Sequence, residues 1–167
     1  MDGATDQLPT QTDRDVQARL ERLENVEQIC RLKAAYCAAC DDDHNGDTVV
    51  GLFAPGGTWS TSLGTSCANL DEIRTYFGAI RSSGRMRYST HMVTNPVVDV
   101  DGSDASATWS FAMMYTDQQG HRYRILGFYR DEFVEITDGW RFRSISSTVQ
   151  DYVRLETLDI VDAQPPR

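Results

Sequence analysis

The chain is short of histidine, proline and cysteine, with 3, 5 and 4 in 167 residues, and short of positive charge. Its 16 lysines and arginines face 25 aspartates and glutamates, a formal net charge of −9. An acidic surface of that size repels phosphate backbones, so no nucleic-acid partner is expected. No apolar run approaches the roughly 20 residues that span a bilayer, so no membrane partner is expected either. Met1–Arg14 has no basic region leading into an apolar stretch, which argues against a secretory signal or transit peptide. The expected compartment is the cytoplasm.

A chain of this length builds a core without staples, so its four cysteines need not form a disulfide framework. Cys37-x-x-Cys40 followed by His44 has the spacing of half a zinc site. A structural zinc site needs a second ligand pair at tight spacing, and the sequence holds none. Small buried thiols on the inner face of a helix explain the pair, so no metal is expected. A glycine-rich phosphate loop is also missing, and no cofactor is expected.

Hydrophobic residues make up 40% of the chain, charged residues 25% and aromatics 10%, the composition of one globular domain. Residues 1–12 read as a flexible leader. Val16, Leu20 and Leu23 repeat at helical spacing, predicting a short amphipathic helix over 13–24. Asn25 with Gln28 forms a capping-box pattern for a second helix, which carries Val26, Ile29, Leu32, Tyr36, Cys37 and Cys40 on one face. Asp41-Asp42-Asp43 and Asn45-Gly46 read as its end. Val49, Leu52 and Phe53 suggest another turn or two, stopped by Ala54-Pro55-Gly56-Gly57, and Thr58–Ser62 a short strand with Trp59. Asn69 with Glu72 caps a third helix whose stripe is Leu70, Ile73, Tyr76, Phe77 and Ile80.

After Gly84 the period changes from helix to strand. Tyr88–Val100, Ala105–Tyr115, Tyr123–Ile136 and Trp140–Val149 are four predicted strands, separated by turns at Asp101-Gly102, Gln118–Gly120 and Asp138-Gly139. Trp109, Phe111, Met113 and Tyr115 share one face of the second. Helices followed by a meander predict an α+β fold: a cone-shaped roll of N-terminal helices packed on a curved antiparallel sheet, with a cavity between them. The expected organisation is a leader over 1–24, the α+β domain over 25–150 and a polar tail over 151–167.

Of the histidines, His44 falls in an acidic loop and His121 beside a turn glycine, both expected to face solvent. His91 lies inside a strand, on the face shared by Val93, Asn95 and Val97. A histidine in a cavity is a natural general base, because its pKa lies near working pH. It needs a carboxylate to orient it, and Asp41 at the end of the inward helical stripe is the candidate. Tyr36 stands five residues earlier, roughly 140° round the helix, where its hydroxyl could meet a substrate oxygen. Each has a plainer reading: a core aromatic, a helix-ending acid and a satisfied core histidine.

The sequence resembles the SnoaL-like branch of the nuclear-transport-factor-2-like superfamily. The resemblance rests on five segments: Ile29-x-x-Leu32-x-x-x-Tyr36-x-x-x-x-Asp41; Leu52-Phe53-Ala54-x-x-Gly57-x-Trp59; Thr90-His91-x-x-x-Asn95-x-x-Val98-x-Val100-Asp101-Gly102; Gly127-Phe128-Tyr129-x-Asp131; and Asp138-Gly139-Trp140-x-Phe142. It implies a homo-oligomer, dimer or trimer. Its dehydratases and related lyases imply catalytic roles for Tyr36, Asp41 and His91. Several of those lyases place an arginine where this chain has Ile145, which implies a more apolar pocket floor. The expected activity is a cofactor-independent lyase, a dehydratase working by a His–Asp dyad on a mainly apolar ring compound such as a steroid, polyketide or phenylpropanoid. An isomerase or polyketide-type cyclase with the same dyad, and a non-catalytic ligand-binding domain, are the alternatives. Trp59, Asn95, Phe111, Met113, Tyr115, Tyr129 and Ile145 are the expected substrate contacts.

Overall fold

The computed structural model describes residues 10–155. Most of the predicted leader over 1–12, and the predicted tail from residue 156 onward, lie outside the described residues. Thr10 opens helix α1 (Gln11–Asp41): its hydroxyl accepts from the Asp13 N–H while the Asp13 carboxylate accepts from the Thr10 N–H at 3.0 Å. This capping box replaces the one expected at Asn25. The two predicted helices are therefore one, because nothing between residues 13 and 41 breaks the backbone ladder. Asn25 instead accepts a hydrogen bond from the Trp140 indole at 3.2 Å, tying the middle of α1 to the sheet. The first half of α1, with Val16, Leu20 and Leu23, is exposed. Only from Asn25 onward does the helix pack, through Ile29, Lys33, Tyr36, Cys37 and Cys40.

Asn45 does not merely end a turn. Its side chain caps a short helix, α2 (Gly46–Val50). Gly46 is needed there, since a Cβ would stand 2.8 Å from the Arg74 carbonyl of helix α3 (Leu70–Ser83). Phe53, predicted as helical, already begins strand β1 (Phe53–Thr61), and a register shift between Phe53 and Thr58 accommodates Pro55 and Gly56. Strand β2 (Thr65–Cys67) follows as a hairpin. The Asn69 side chain accepts from the Glu72 N–H at 3.0 Å to start α3, as the sequence predicts.

The last four strands form the expected meander: β3 (Arg87–Asp101), β4 (Asp104–Thr116), β5 (Arg122–Ile136) and β6 (Gly139–Leu155). Together with β1 and β2 they make a curved six-stranded sheet in the order β2-β1-β6-β5-β4-β3. Neighbours are antiparallel except β1 and β6, which pair in parallel. Strand β6 runs six residues past its predicted end at Val149, because Asp151–Leu155 pair with the start of β5. The concave face meets the second half of α1 and α3. Trp109, Phe111, Met113 and Tyr115 share one face of β4 as predicted; that face is buried, and Ala105 and Ala107 continue it. The core between these layers is apolar and aromatic.

Candidate active site

Helix α1 ends at Asp41 because the chain turns sharply there: Asp43 and His44 both adopt φ of 54°, the left-handed region. That places the Asp41 carboxylate against β3. One oxygen accepts from the His91 backbone N–H at 2.9 Å, and the other lies 2.6 Å from His91 Nδ1. Burial alone would raise the Asp41 pKa, but the side-chain and backbone hydrogen bonds from His91 and the attraction of its positive form outweigh it, and the carboxyl sits below its usual range. An ionised carboxylate only accepts, so Nδ1 carries the hydrogen and Nε2 keeps the free lone pair. The imidazole of His91 lines a largely apolar cavity between the helices and the sheet.

Tyr36 lines the same cavity. Its hydroxyl accepts from the Trp59 indole at 2.8 Å and also meets the Cys40 side chain. Three edge-on aromatic contacts, with Phe77, Tyr129 and Phe142, fix the ring. Burial pushes the phenol well above its ordinary pKa, so it stays protonated. The walls are Trp59, Phe111, Met113 and Tyr129 from the sheet, Phe77 and Ile80 from α3, and Leu63 and Met86 near the ends of neighbouring elements. Cys40 is also in the wall; burial raises its thiol strongly and raises Cys37 to about 11, so neither is a thiolate nucleophile. Among the described residues no cluster of three His, Cys, Asp or Glu side chains could hold a metal.

With this geometry established, the comparison by sequence is decisive. Residues 21–146, more than half of the chain, match the SnoaL-like domain. The chain belongs to this family. No curated protein matches it. Several solved structures share the fold of this SnoaL-like domain at low identity. One is described as an NTF2-like protein with a cystatin-like fold, from Novosphingobium aromaticivorans. It is 20% identical, with a TM-score of 0.70 over 89% of this chain and 93% of that one. A candidate scytalone dehydratase from the same species is 16% identical, with a TM-score of 0.72 over 89% and 99%. The hexachlorocyclohexane dehydrochlorinase LinA-type3 of Novosphingobium barchaimii is 14% identical, with a TM-score of 0.75 over 89% and 99%.

Not every expected contact reaches the SnoaL-like cavity. Asn95 has φ of 54° and stands where the register between β3 and β4 shifts, between Thr94 and Val97. Before that bulge Ser89, His91 and Val93 turn inward; after it Val98 and Val100 do. Asn95 and Val97 are therefore exposed, and Asn95 is corrected to an outward residue. Tyr115 lines a second, outer depression with Tyr123 and Tyr152, on which its ring stacks and its hydroxyl bonds respectively. Ile145 is fully buried beside Trp59 in the β1–β6 ladder and is not in the lining.

His44 is the largest correction in the other direction. Expected in solvent, it is 2% exposed and lines the cavity. His121 stays partly exposed, its Nδ1 held by Asp117 at 2.9 Å. Sequence reasoning also missed Lys33, the only lysine in the chain. Its Nζ lies 2.9 Å from Asp131, with both side chains completely buried, and 3.4 Å from the centroid of the Tyr129 ring. Burial lowers the lysine and raises the aspartate, and each partner opposes the shift of the other. A signal existed: a solitary lysine on an otherwise apolar helical stripe.

Proposed function

We propose that the cavity is the active site of a cofactor-independent lyase, a dehydratase acting on a mainly apolar ring compound of the steroid, polyketide or phenylpropanoid kind. One observation carries the reading: an ionised Asp41 orients His91, whose free nitrogen belongs to an imidazole in the wall of an apolar cavity. His91 Nε2 takes a proton from a ring carbon, and the C–H electron pair forms the new double bond as the C–O bond breaks. The proton on His91 passes to the departing oxygen, so the products are the alkene and water and His91 returns to neutral. Asp41 stabilises the transient imidazolium. Tyr36 donates to an activating oxygen where charge develops. A candidate dehydratase and a dehydrochlorinase among the fold neighbours support an elimination. The family resemblance extends the reading to a homo-oligomer, dimer or trimer.

The test is turnover of hydroxylated steroid, polyketide and phenylpropanoid compounds by wild type and His91→Ala, read by mass spectrometry. Loss of 18 mass units by wild type alone supports the dehydratase. Conversion without a mass change moves the assignment to isomerase or cyclase, whose first step is the same proton removal. Equal binding to both proteins without turnover sinks the catalytic role of His91.

A further inference from the structure

His44 has no part in the proton transfers just described, yet it is built into the same wall. Its ring centroid lies 6.4 Å from that of His91 and 6.2 Å from that of Phe77. Nδ1 is buried without a hydrogen-bond partner, and no described residue bonds the ring at either nitrogen. Buried polar atoms in folded proteins are nearly always paired, and the exceptions call for an explanation. The backbone adds a second anomaly, for two successive non-glycine residues, Asp43 and His44, are held in the left-handed region. Much of the surrounding wall, Phe77, Ile80, Met86 and Met113, offers hydrocarbon. The sequence thus holds a strained turn to keep an unpaired imidazole against the space a ligand would fill.

We infer that His44 is a second ligand-contacting residue: its imidazole pairs with an oxygen on the edge of the bound ring compound and so turns that polar edge toward His91. The inference rests on the reading of the cavity as a substrate site. It narrows the substrate to ring compounds with a hydroxyl or carbonyl oxygen placed to reach between two imidazoles. An unoxygenated hydrocarbon would leave His44 unpaired and bind less well. Burial, then the neighbouring charge of His91, pushes His44 down to about 4. The ring therefore meets the ligand neutral, able to donate from one nitrogen or accept at the other.

The probes are 2-naphthol and 2-methylnaphthalene, which match in shape and differ by one hydroxyl. Neither can lose water, so binding is read without turnover and independently of the dehydratase assignment. Wild type is expected to bind 2-naphthol about tenfold more tightly, and the His44 imidazole nitrogen signals to move with 2-naphthol only. His44→Phe should bring the two affinities within about twofold of each other while still binding 2-methylnaphthalene. His44→Gly, which fits the left-handed backbone, serves if the phenylalanine variant fails to fold. His44→Asn, which also tolerates that backbone, should recover part of the preference. An undiminished preference in His44→Phe or His44→Gly overturns the inference, as do unmoved His44 signals. Failure of both probes to bind wild type overturns it too, because a cavity closed to a two-ring phenol leaves His44 nothing to contact.

Discussion

Asp41 holds His91 by two atoms at once, the backbone N–H at 2.9 Å and Nδ1 at 2.6 Å, although the residues are 50 positions apart. The double contact locks the strand to the helix end and sets the imidazole tautomer with one carboxylate. For the proposed elimination, His91→Ala should lower kcat by about 10²–10⁴, the usual worth of a positioned general base. Asp41→Asn should lower kcat by a similar order with little change in KM, because an amide no longer fixes the tautomer. Steady-state kinetics on the substrate found above checks both.

Acid should destabilise the protein through His44 before it does so through the carboxylates. A histidine held near 4 in the folded state and near 6.5 unfolded binds its proton only after unfolding, between those values. Its contribution is complete above about pH 6.5, is lost as pH falls toward 4 and is level below that. The loss is on the order of 2–3 kcal/mol. Urea unfolding at pH 7, 5.5 and 4.5 should show His44→Asn with a shallower decline than wild type. Parallel curves would contradict the buried, neutral assignment.

Lys33 should behave as one half of a unit. Lys33→Met leaves the Asp131 carboxyl buried and unpaired, and should cost about 3–5 kcal/mol. Lys33→Met with Asp131→Leu should recover most of that loss, since an apolar pair of similar volume carries no desolvation penalty. Denaturant unfolding of the two variants measures the difference. Amine-reactive reagents should leave this single lysine unmodified until the protein unfolds.

Gly127 permits the bulge that lets β6 continue past Val149. A Cβ there would stand 2.1 Å from the Thr148 carbonyl and 2.8 Å from the Phe111 ring, where the register of β5 and β6 shifts. Gly127→Ala should therefore push the strands apart and displace a cavity wall, costing about 1–3 kcal/mol. A melting temperature equal to wild type would show that the ladder yields more easily than the geometry indicates.

These sites differ in how visible they were before folding. The Asn69–Glu72 cap, the inward stripe of α3 and the alternation of β4 were legible, because each depends on residues only a few positions apart. The turn glycines were legible for the same reason. The continuity of α1 was less so, since Asn25 satisfies a capping pattern in sequence yet spends its side chain on Trp140, a partner 115 residues away.

The sequence by itself determined the α+β order, the hairpin meander and the helical stripe that carries Tyr36 inward. Local sterics, capping and hydrophobic period suffice for that. Tertiary structure alone decided that Asn95 faces out, because a bulge reverses the strand's parity after His91. It alone buried His44, since a loop residue is wet or dry according to what covers it. It paired Lys33 with Asp131, because desolvation leaves a buried charge stable only beside its opposite, and that neighbour comes from a strand nearly 100 residues further along the chain.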